Sequence, residues 1–327
     1  MLIVKRHHTD PWFNLAAEEY FLKHTEEDIF MLWRNEPSII VGKHQNTLSE
    51  INLEYVKENN IRVVRRLTGG GAVFHDLGNL NFTFIQSNKD HTLNDFRKYT
   101  EPILAVLLAL GVDARFEGRN DLTIDGKKFS GNAEMVWKNR VLHHGTLLFS
   151  ATMADLGQAL KVNEAKFRDK AVKSVRSRVT NISEHLQQAM DVMQFSDLIE
   201  KHIVGMYPDA RFYELTEEDR SKIEEMVSVK YGTWDWNFGT SPAYNFRKVV
   251  RTEHSGTIEF CMDVQNGVII KTQIFGDYFS HADPKEIEDV LANIPHEESA
   301  IRGAVAPFEI GSYFAKLTVD ELVKGLF

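Results

Sequence analysis

Apolar side chains recur along the chain with two periods, and these periods separate predicted helices from predicted strands. Helical spacing predicts helices over residues 13–24, 53–59 and 93–110, the last ending before Gly111. Short β-branched or alternating runs predict strands, most of them joined by turns. The strands predicted in the first half of the chain cover residues 29–33, 38–41, 62–66, 72–76, 79–85, 122–124, 127–133, 135–136 and 141–149.

The pattern changes over residues 232–246, where Gly, Pro, Ser and aromatic residues follow one another without a period. We therefore predict a large domain over residues 1–245 and a small domain over residues 246–327. Thr216 and Asp219 fit a helix-capping pattern before this stretch. The remaining predicted elements are helices over residues 196–207, 216–227, 283–294 and 318–327, and strands over residues 249–252, 257–263 and 268–274.

The order of the predicted elements indicates the fold class. Strands that come in runs joined by hairpins do not fit the strict strand–helix alternation of a doubly wound fold. We predict an α+β protein, with a mixed or mostly antiparallel sheet in the large domain and a small α+β C-terminal domain.

Composition and charge exclude several classes of protein. The formal net charge is −9, whereas proteins that bind duplex nucleic acid usually carry a basic surplus. We find no uncharged apolar run long enough to predict a membrane span, and no signal peptide. The single cysteine, Cys261, rules out an intramolecular disulfide framework and fits a reducing compartment. We expect a cytoplasmic monomer that binds neither nucleic acid nor membranes.

Three consecutive glycines, Gly69 to Gly71, follow a predicted strand that ends in Arg65 and Arg66. Glycines let backbone N–H groups converge on an anion without a Cβ in the way. Arginines supply charge and forked donors for phosphate or carboxylate. The segment therefore indicates an anion-binding site, and a tight hairpin with surface arginines is the alternative.

A second candidate site lies on the strand predicted over residues 127–133. Period-two alternation places Lys128 and Ser130 on one face, and Lys127 and Phe129 on the other. Lys128 then lies beside a small hydroxyl and close to a glycine, which suits a residue facing a site. The alternative is that both lysines protect a hairpin edge against aggregation.

Adjacent histidines and a basic run complete the candidate features. Alternation sends His143 and His144 to opposite faces of their strand, so they cannot chelate one metal ion together. We expect one of them to face a cleft, although a packed or surface position is the commoner role of a single histidine. Residues 161–178 are basic in an acidic chain. This basic run predicts a segment that closes over an anionic intermediate or a surface that binds an acidic partner protein, and a solvated loop is the alternative.

Taken together, these segments resemble the lipoate-protein ligase A family. Residues 65–76, Arg-Arg-Leu-Thr-Gly-Gly-Gly-Ala-Val-Phe-His-Asp, match the family's hallmark throughout. Gly-Arg-Asn-Asp, Lys-Phe-Ser-Gly and His-His-Gly-Thr-Leu then follow in the family's order. The segments at residues 174–181 and 234–239 match as well, so the resemblance covers essentially the whole chain.

The resemblance implies a fold and a reaction. It implies a catalytic domain of the biotin and lipoate ligase type over residues 1–245 and an accessory domain over residues 246–327 that moves during the cycle. Such a ligase activates lipoic acid with ATP and Mg²⁺, giving lipoyl-AMP and pyrophosphate. The lipoyl group then passes to a lysine of an acceptor protein, and AMP is released. The acceptors implied are E2 subunits of 2-oxoacid dehydrogenases and the glycine-cleavage H protein.

Site residues carry over from the resemblance position by position. Lys128 resembles the family lysine that contacts the adenylate phosphate and the lipoyl carbonyl, and it is the predicted catalytic residue. Asp121 resembles a residue near the adenylate and its metal, and it is the predicted Mg²⁺ ligand. The predicted binding residues are Arg66, Gly71, Ala72, Val73, Phe74, His75, Asn120, Asp121, Lys128, Ser130, His144 and Thr146.

Some alternatives stay open at this point. Apolar residues near Trp33 and Phe74 are candidates for an acyl pocket, with core packing an equal explanation. A cysteine-dependent octanoyl- or lipoyl-transferase needs a thiolate in the large domain, whereas Cys261 lies in the predicted small domain. A biotin ligase would carry a Gly-Arg-Gly-Arg loop and an N-terminal helix-turn-helix, which we do not find. Intact Lys128 and three intact glycines disfavour a non-catalytic protein that only binds lipoyl domains.

Overall fold

The computed structural model divides the chain into two compact units, each with its own apolar core. The first unit comprises Met1–Lys43 and Glu50–Thr233, and the second comprises His44–Ser49 and Trp234–Phe327. The domain division predicted at residue 245 stays a prediction. The structure describes residues 1–5, 8–43, 45, 47–87, 95–118, 120–152, 158–160, 179–241, 244–252, 256–276, 282–314 and 316–327.

The described residues form strands and helices that we number in chain order. The strands are β1 (Leu2–Val4), β2 (Ile29–Trp33), β3 (Ser38–Val41), β4 (Arg62–Arg65), β5 (Val73–His75), β6 (Asn79–Ser87), β7 (Ala114–Glu117), β8 (Asp121–Ile124), β9 (Lys127–Trp137), β10 (Arg140–Leu148), β11 (Arg211–Tyr213), β12 (Tyr244–Thr252), β13 (Gly256–Gln265), β14 (Val268–Gly276) and β15 (Ile294–Pro295). The α-helices are α1 (Pro11–His24), α2 (Thr47–Glu50), α3 (Leu53–Glu58), α4 (Phe96–Ala109), α5 (Val192–Met206), α6 (Glu217–Met226), α7 (Lys285–Val290), α8 (Glu298–Val305), α9 (Ile310–Tyr313) and α10 (Val319–Gly325).

Two sheets build the described part of the first unit. The larger one has eight strands in the order β11-β1-β2-β6-β10-β9-β8-β7, and the smaller one has the order β4-β3-β5. In the larger sheet β1 is parallel to β2 and β11, and the other pairs are antiparallel. The predicted α+β class with a mixed sheet is therefore confirmed.

Helix α1 begins where the sequence provides a cap. Asp10 accepts hydrogen bonds from the backbone N–H groups of Trp12 and Phe13, and Pro11 occupies the first turn, where its missing N–H costs nothing. Nearly every side chain of the helix is buried, including those of Glu18 and Glu19. Buried carboxylates need partners. Those of Glu19 are Lys23, Lys230 and Tyr231, and those of Glu18 belong to the candidate site.

Two strands that we predicted in separate hairpins form one continuous strand. We predicted separate strands over residues 127–133 and 135–136, whereas β9 runs unbroken from Lys127 to Trp137 and pairs with both β8 and β10. The alternation of β9 is also broken by a bulge: Leu122 pairs with Ser130, and Thr123 pairs with Lys128. Phe129 is the extra residue, and it is buried in the core of the first unit.

The second unit is a small α+β body. Its antiparallel sheet has the order β12-β13-β14-β15, with the predicted hairpin at Asn266-Gly267, where both residues have positive φ. Helix α8 lies in a region where we predicted no element, and the predicted aperiodic stretch contains a π-helical segment over Asp235–Gly239. Thr47 joins this unit because its hydroxyl donates to the Asn237 carbonyl and its N–H to the Ser241 hydroxyl.

Two sequence-based expectations concern segments rather than sites. None of the described helices has the length and apolar character needed to cross a membrane. The basic run over residues 161–178, to which we gave three alternatives, lies outside the described residues, as does Arg119.

Candidate active site

A cavity of about 160 Å³ lies in the first unit, between residues of the two sheets. The larger sheet contributes residues of β2, β6, β9 and β10, and the smaller sheet contributes residues of β3 and β5. The turn formed by Gly69, Gly70 and Gly71, which we call the glycine turn, also contributes residues. The lining residues are Leu15, Trp33, Ile40, Arg66, Gly70, Gly71, Ala72, Val73, His75, Asn81, Asn120, Lys128, Gly131, Asn132, Ala133, His144, Gly145 and Thr146.

The glycine turn is shaped by the side chain of Arg66. Its Nη2 donates to the carbonyl oxygens of Gly69 (2.7 Å) and Gly71 (2.8 Å), and its Nη1 donates to the Ile40 carbonyl (3.1 Å). Gly70 has a φ of +93°, and a Cβ there would lie 2.9 Å from Arg66 Nη2. The left-handed φ favours glycine at this position. The carbonyls of the turn therefore point to Arg66.

Both arginines of the motif are buried and have backbone partners. Arg65 donates to the carbonyls of Gly42 and Lys43, and it does not line the cavity. Burial lowers the pKa of Arg66 to about 10, and the charge of Glu18 opposes this shift. Arg66 thus keeps its charge at neutral pH and adds positive potential to the cavity while its donors hold the turn.

Lys128 extends beside the glycine of its own strand. Its Nζ lies 2.8 Å from Asp121 Oδ1, and a Cβ on Gly131 would lie 3.0 Å from the same Nζ. The side chains of Lys128 and Asp121 are 41% and 37% exposed, so solvent and ligands can reach this pair. An ammonium in this position is paired but not enclosed, and a stronger anion can compete with Asp121 for it.

A chain of buried hydrogen bonds runs from the cavity wall to the glycine turn. Glu18 accepts from the Thr83 hydroxyl (2.5 Å) and pairs with His144 Nδ1 (3.0 Å). His144 Nε2 lies 2.8 Å from the hydroxyl oxygen of Thr68, which also accepts from Arg66 Nε (3.0 Å). An ionised carboxylate only accepts, so Glu18 places the histidine proton on Nδ1 and leaves Nε2 to accept from Thr68.

His75 has one satisfied and one unsatisfied ring nitrogen. Its Nδ1 lies 3.1 Å from Asn35 Nδ2, while no described group hydrogen-bonds to its buried Nε2. Burial lowers the pKa of His75 to about 3, and the charge of Arg66 lowers it further. The ring is therefore neutral at physiological pH.

The two adjacent histidines face opposite sides of β10, as the alternation predicted. His144 lines the cavity, whereas His143 packs in the core with Tyr99 at a ring distance of 4.7 Å. His143 also binds Glu134 through Nδ1, and burial lowers its pKa.

The structure gathers most of the predicted site residues around one cavity. Lys128 and the glycine turn both line it, so the two motifs that we singled out in the sequence meet in space. The predicted residues that line the cavity are Arg66, Gly71, Ala72, Val73, His75, Asn120, Lys128, His144 and Thr146.

Three predicted site residues do not line this cavity. The bulge at Phe129 breaks the alternation that we expected, so Ser130 is buried away from Lys128 and binds Asn132 Nδ2 instead. Phe74 is buried on the strand between two lining residues, which favours core packing, whereas Trp33 does line the cavity. Asp121 contributes through its ion pair with Lys128.

The sequence analysis missed several lining residues. It also missed Glu18, which does not line the cavity but hydrogen-bonds to the lining residue His144. Glu18 has Leu15 three residues before it and Leu22 four residues after it, so it lies on an apolar face of α1. A carboxylate in an apolar stripe is a signal of a buried polar network. Asn81, Leu15 and Ile40 gave no comparable signal.

The described residues contain no group of three or more His, Cys, Asp or Glu side chains placed to hold a metal ion. Asp121 offers a partly exposed carboxylate beside the cavity residue Lys128. A single carboxylate fits a magnesium ion that takes its other ligands from water and substrate phosphates.

Comparisons with known families cover both units. The lipoyl protein ligase A/B catalytic domain model matches residues 10–204, and the bacterial lipoate protein ligase C-terminus model matches residues 241–326. Lipoate–protein ligase 1 of Staphylococcus aureus strain Mu50 is 43% identical over 318 residues, covering 97% of this chain and 96% of its own.

Solved structures agree with the sequence relatives. A bipartite lipoate protein ligase of Thermoplasma acidophilum, studied with its E2 lipoyl domain, is similar with a TM-score of 0.66 at 32% identity. The match covers 73% of this chain and 96% of that one. A lipoate-protein ligase A bound with ATP has a TM-score of 0.65 at 28% identity, covering 73% of this chain and 98% of that one. The chain therefore belongs to the lipoyl protein ligase A/B family, with the C-terminal unit of the bacterial lipoate protein ligases.

Proposed function

We propose that this protein is an ATP-dependent lipoate–protein ligase that forms lipoyl-AMP and then transfers the lipoyl group to a lysine of a lipoyl domain. The observation that supports this most directly is the cavity that the glycine turn and Lys128 share. The relationship to named lipoate–protein ligases over nearly the whole chain supports the same reaction.

The first step requires two anions to approach each other. The lipoate carboxylate attacks the α-phosphorus of ATP, the bond to the pyrophosphate oxygen breaks, and pyrophosphate leaves. Lys128 offsets the repulsion between carboxylate and triphosphate, since its ammonium is a compact charge that both groups can contact. Positioning and electrostatics dominate such displacements, so the protein supplies no covalent group.

The glycine turn contributes backbone N–H groups to the nucleotide. The carbonyls of Gly69 and Gly71 are turned to Arg66, which leaves N–H groups of the turn available for phosphate oxygens. Arg66 thereby acts on the nucleotide through the conformation of the turn and through its charge. The related ligase structure bound with ATP supports nucleotide binding on this fold.

Magnesium belongs to this proposal as a partner of Asp121. When bound there with the triphosphate, the ion would supply charge that offsets the phosphate oxygens. Lys128, which is paired with Asp121 in the structure, would then be available to the reacting carboxylate.

In the second step the acceptor lysine amine attacks the carbonyl carbon of the mixed anhydride, and AMP leaves. Lys128 stabilises the charge that develops on the carbonyl oxygen. The archaeal ligase studied with its E2 lipoyl domain favours E2 subunits as acceptors, and the glycine-cleavage H protein is the second class proposed. We further propose that the ligase acts as a cytoplasmic monomer.

The transferase alternative lacks its nucleophile in the first unit. Cys261 lies on β13 in the second unit, and burial raises its pKa, with Glu259 adding to the rise. A raised pKa disfavours the thiolate that a transferase would require.

The proposal is tested by pyrophosphate release and by the mass of the acceptor. With the full chain, ATP and lipoate together are expected to release pyrophosphate, and a lipoyl domain added afterwards is expected to gain one lipoyl group. Omission of ATP or lipoate should abolish both signals. Acyl transfer from a protein-bound octanoyl or lipoyl group without ATP would contradict the proposal in favour of a transferase.

A further inference from the structure

His75 carries a proton on the nitrogen that lacks a partner. Asn35 Oδ1 accepts from Asn14 Nδ2 (2.8 Å), so the other end of the Asn35 amide is the donor to His75 Nδ1. The neutral ring therefore holds its proton on Nε2. This N–H is buried, and within the described part of the chain it has no acceptor.

The unsatisfied N–H belongs to a ring at the cavity wall beside Trp33. His75 and Trp33 both line the cavity, with ring centroids 6.0 Å apart. Leu15, Ile40 and Val73, which line the same cavity, are apolar. An orphaned donor costs free energy in such surroundings unless a ligand supplies an acceptor.

The sheet register places Trp33, whose ring lies beside that of His75, three strands away from Lys128. Trp33 pairs with Asn81, Asn81 pairs with Thr146, and Thr146 bonds to Gly131, whose Cα lies beside Lys128 Nζ. Three strand-to-strand steps separate the two ends of this row by about 14 Å. An extended eight-carbon acid spans about 10 Å, and a contact of about 3 Å at each end lets it bridge this separation. A carboxylate held at Lys128 therefore brings the far end of its chain to Trp33 and His75.

We propose that His75 Nε2–H recognises a sulfur atom of the dithiolane ring and thereby favours lipoate over sulfur-free acids of the same shape. The proposal rests on the proposed function, which places the carboxylate at Lys128. Sulfur is a weak acceptor, but it satisfies the N–H, whereas a carbon ring leaves that group buried and unpaired. Asn35 and Asn14 act as positioning residues because they set the tautomer.

The test compares lipoate with 5-cyclopentylpentanoate, which replaces both sulfur atoms by methylene groups. The readout is the ratio of kcat/KM values in pyrophosphate release at saturating ATP. In the wild type the ratio should favour lipoate by about three- to tenfold, since a buried donor loses its acceptor in the carbon analogue. His75→Leu should bring the ratio close to one.

Two further variants separate the donor from packing. His75→Gln keeps an N–H near the position of Nε2 and should retain most of the preference. Ile40→Val removes one methyl from the same cavity and should affect both acids alike. A wild-type ratio near one would overturn the inference even if the variants fail to fold, and pyrophosphate release with lipoate in that experiment would leave the proposed function intact. Absence of pyrophosphate with every acid would contradict the proposed function itself.

Discussion

At the scale of single residues, the site depends on two buried charges of opposite sign. Arg66 and Glu18 are both buried, and they are joined through Thr68 and His144 by consecutive hydrogen bonds. Each charge would be costly to bury alone. Their connection explains why Arg66 can stay charged inside the protein and hold the carbonyls of the glycine turn.

Glu18→Gln removes one of these charges at nearly constant shape. We expect it to lower the free energy of unfolding of the first unit by about 1–3 kcal/mol, because His144 and Thr83 lose an ionised acceptor and Arg66 loses a buried opposite charge. Urea unfolding of wild type and variant measures the change. Glu26→Gln, the same chemical change at an exposed position, is the control and should be close to neutral. Equal urea midpoints for Glu18→Gln and wild type would show that the carboxylate charge is not needed.

Single residues also show what could be predicted from the sequence. The glycine turn was found because three glycines follow a strand. The role of Lys128 came from the family resemblance, because the strand pattern alone left a hairpin-edge lysine equally open. Glu18 was missed because a glutamate in a helix usually faces solvent. Its place in an apolar stripe of α1 was the available signal, and the packing of α1 confirms the burial.

At the scale of elements, the glycine turn is the part of the site with the strictest backbone requirement. Gly70 has a positive φ and lies against Arg66 Nη2, whereas an added Cβ on Gly69 would meet nothing within 4 Å. The two neighbouring glycines therefore differ in whether they tolerate a Cβ, although nothing in the sequence distinguishes them.

Gly70→Ala and Gly69→Ala form a matched pair. Gly70→Ala should lower the free energy of unfolding by about 1–3 kcal/mol, because a residue with a Cβ is strained at that φ. It should also raise the KM for ATP by distorting the turn. Gly69→Ala should change both quantities much less. Denaturant unfolding and pyrophosphate kinetics provide the two readouts, and equal effects of the two variants would contradict this assignment.

Sequence-based prediction succeeded for the regular elements and failed for irregular and short ones. Most strands and long helices were predicted within a few residues, because their apolar periods are long enough to recognise. The bulge at Phe129 was not predictable, because its extra residue is apolar and fits a regular strand equally well. It reversed the expected side of Ser130. Helix α8 was missed because it is short and contains Gly303.

At the scale of the whole molecule, the chain has two units whose stabilities depend on different groups. In the second unit His296 is buried, lies 2.6 Å from the Leu326 carbonyl through Nε2, and stacks on Phe327 at 4.6 Å. Burial lowers the pKa of His296 to about 4, although the hydrogen bond to Leu326 opposes the shift. A neutral His296 thus holds the end of the chain.

The stability of the second unit should therefore fall as the solution becomes acidic. Between pH 6.5 and about 4 the unfolded chain binds a proton at His296 that the folded unit excludes. From pH 7 to pH 5 this loss is about 2 kcal/mol, and it is complete below the folded pKa. Hydrogen exchange of amides in β13 and β14 measures it. His296→Phe should lack this part of the pH dependence, and an unchanged dependence would contradict the assignment.

The proposed reaction depends on Lys128 acting on the anions that meet in the cavity. Lys127 is the neighbouring lysine; it is exposed and does not line the cavity, so Lys127→Ala is the matched control. Single-turnover pyrophosphate release from ATP and lipoate is the most direct measurement. Lys128→Ala should lose about 3–4 kcal/mol of transition-state stabilisation, roughly 10²–10³ in rate, while Lys127→Ala stays near the wild-type rate. A Lys128→Ala rate equal to that of Lys127→Ala would contradict the account.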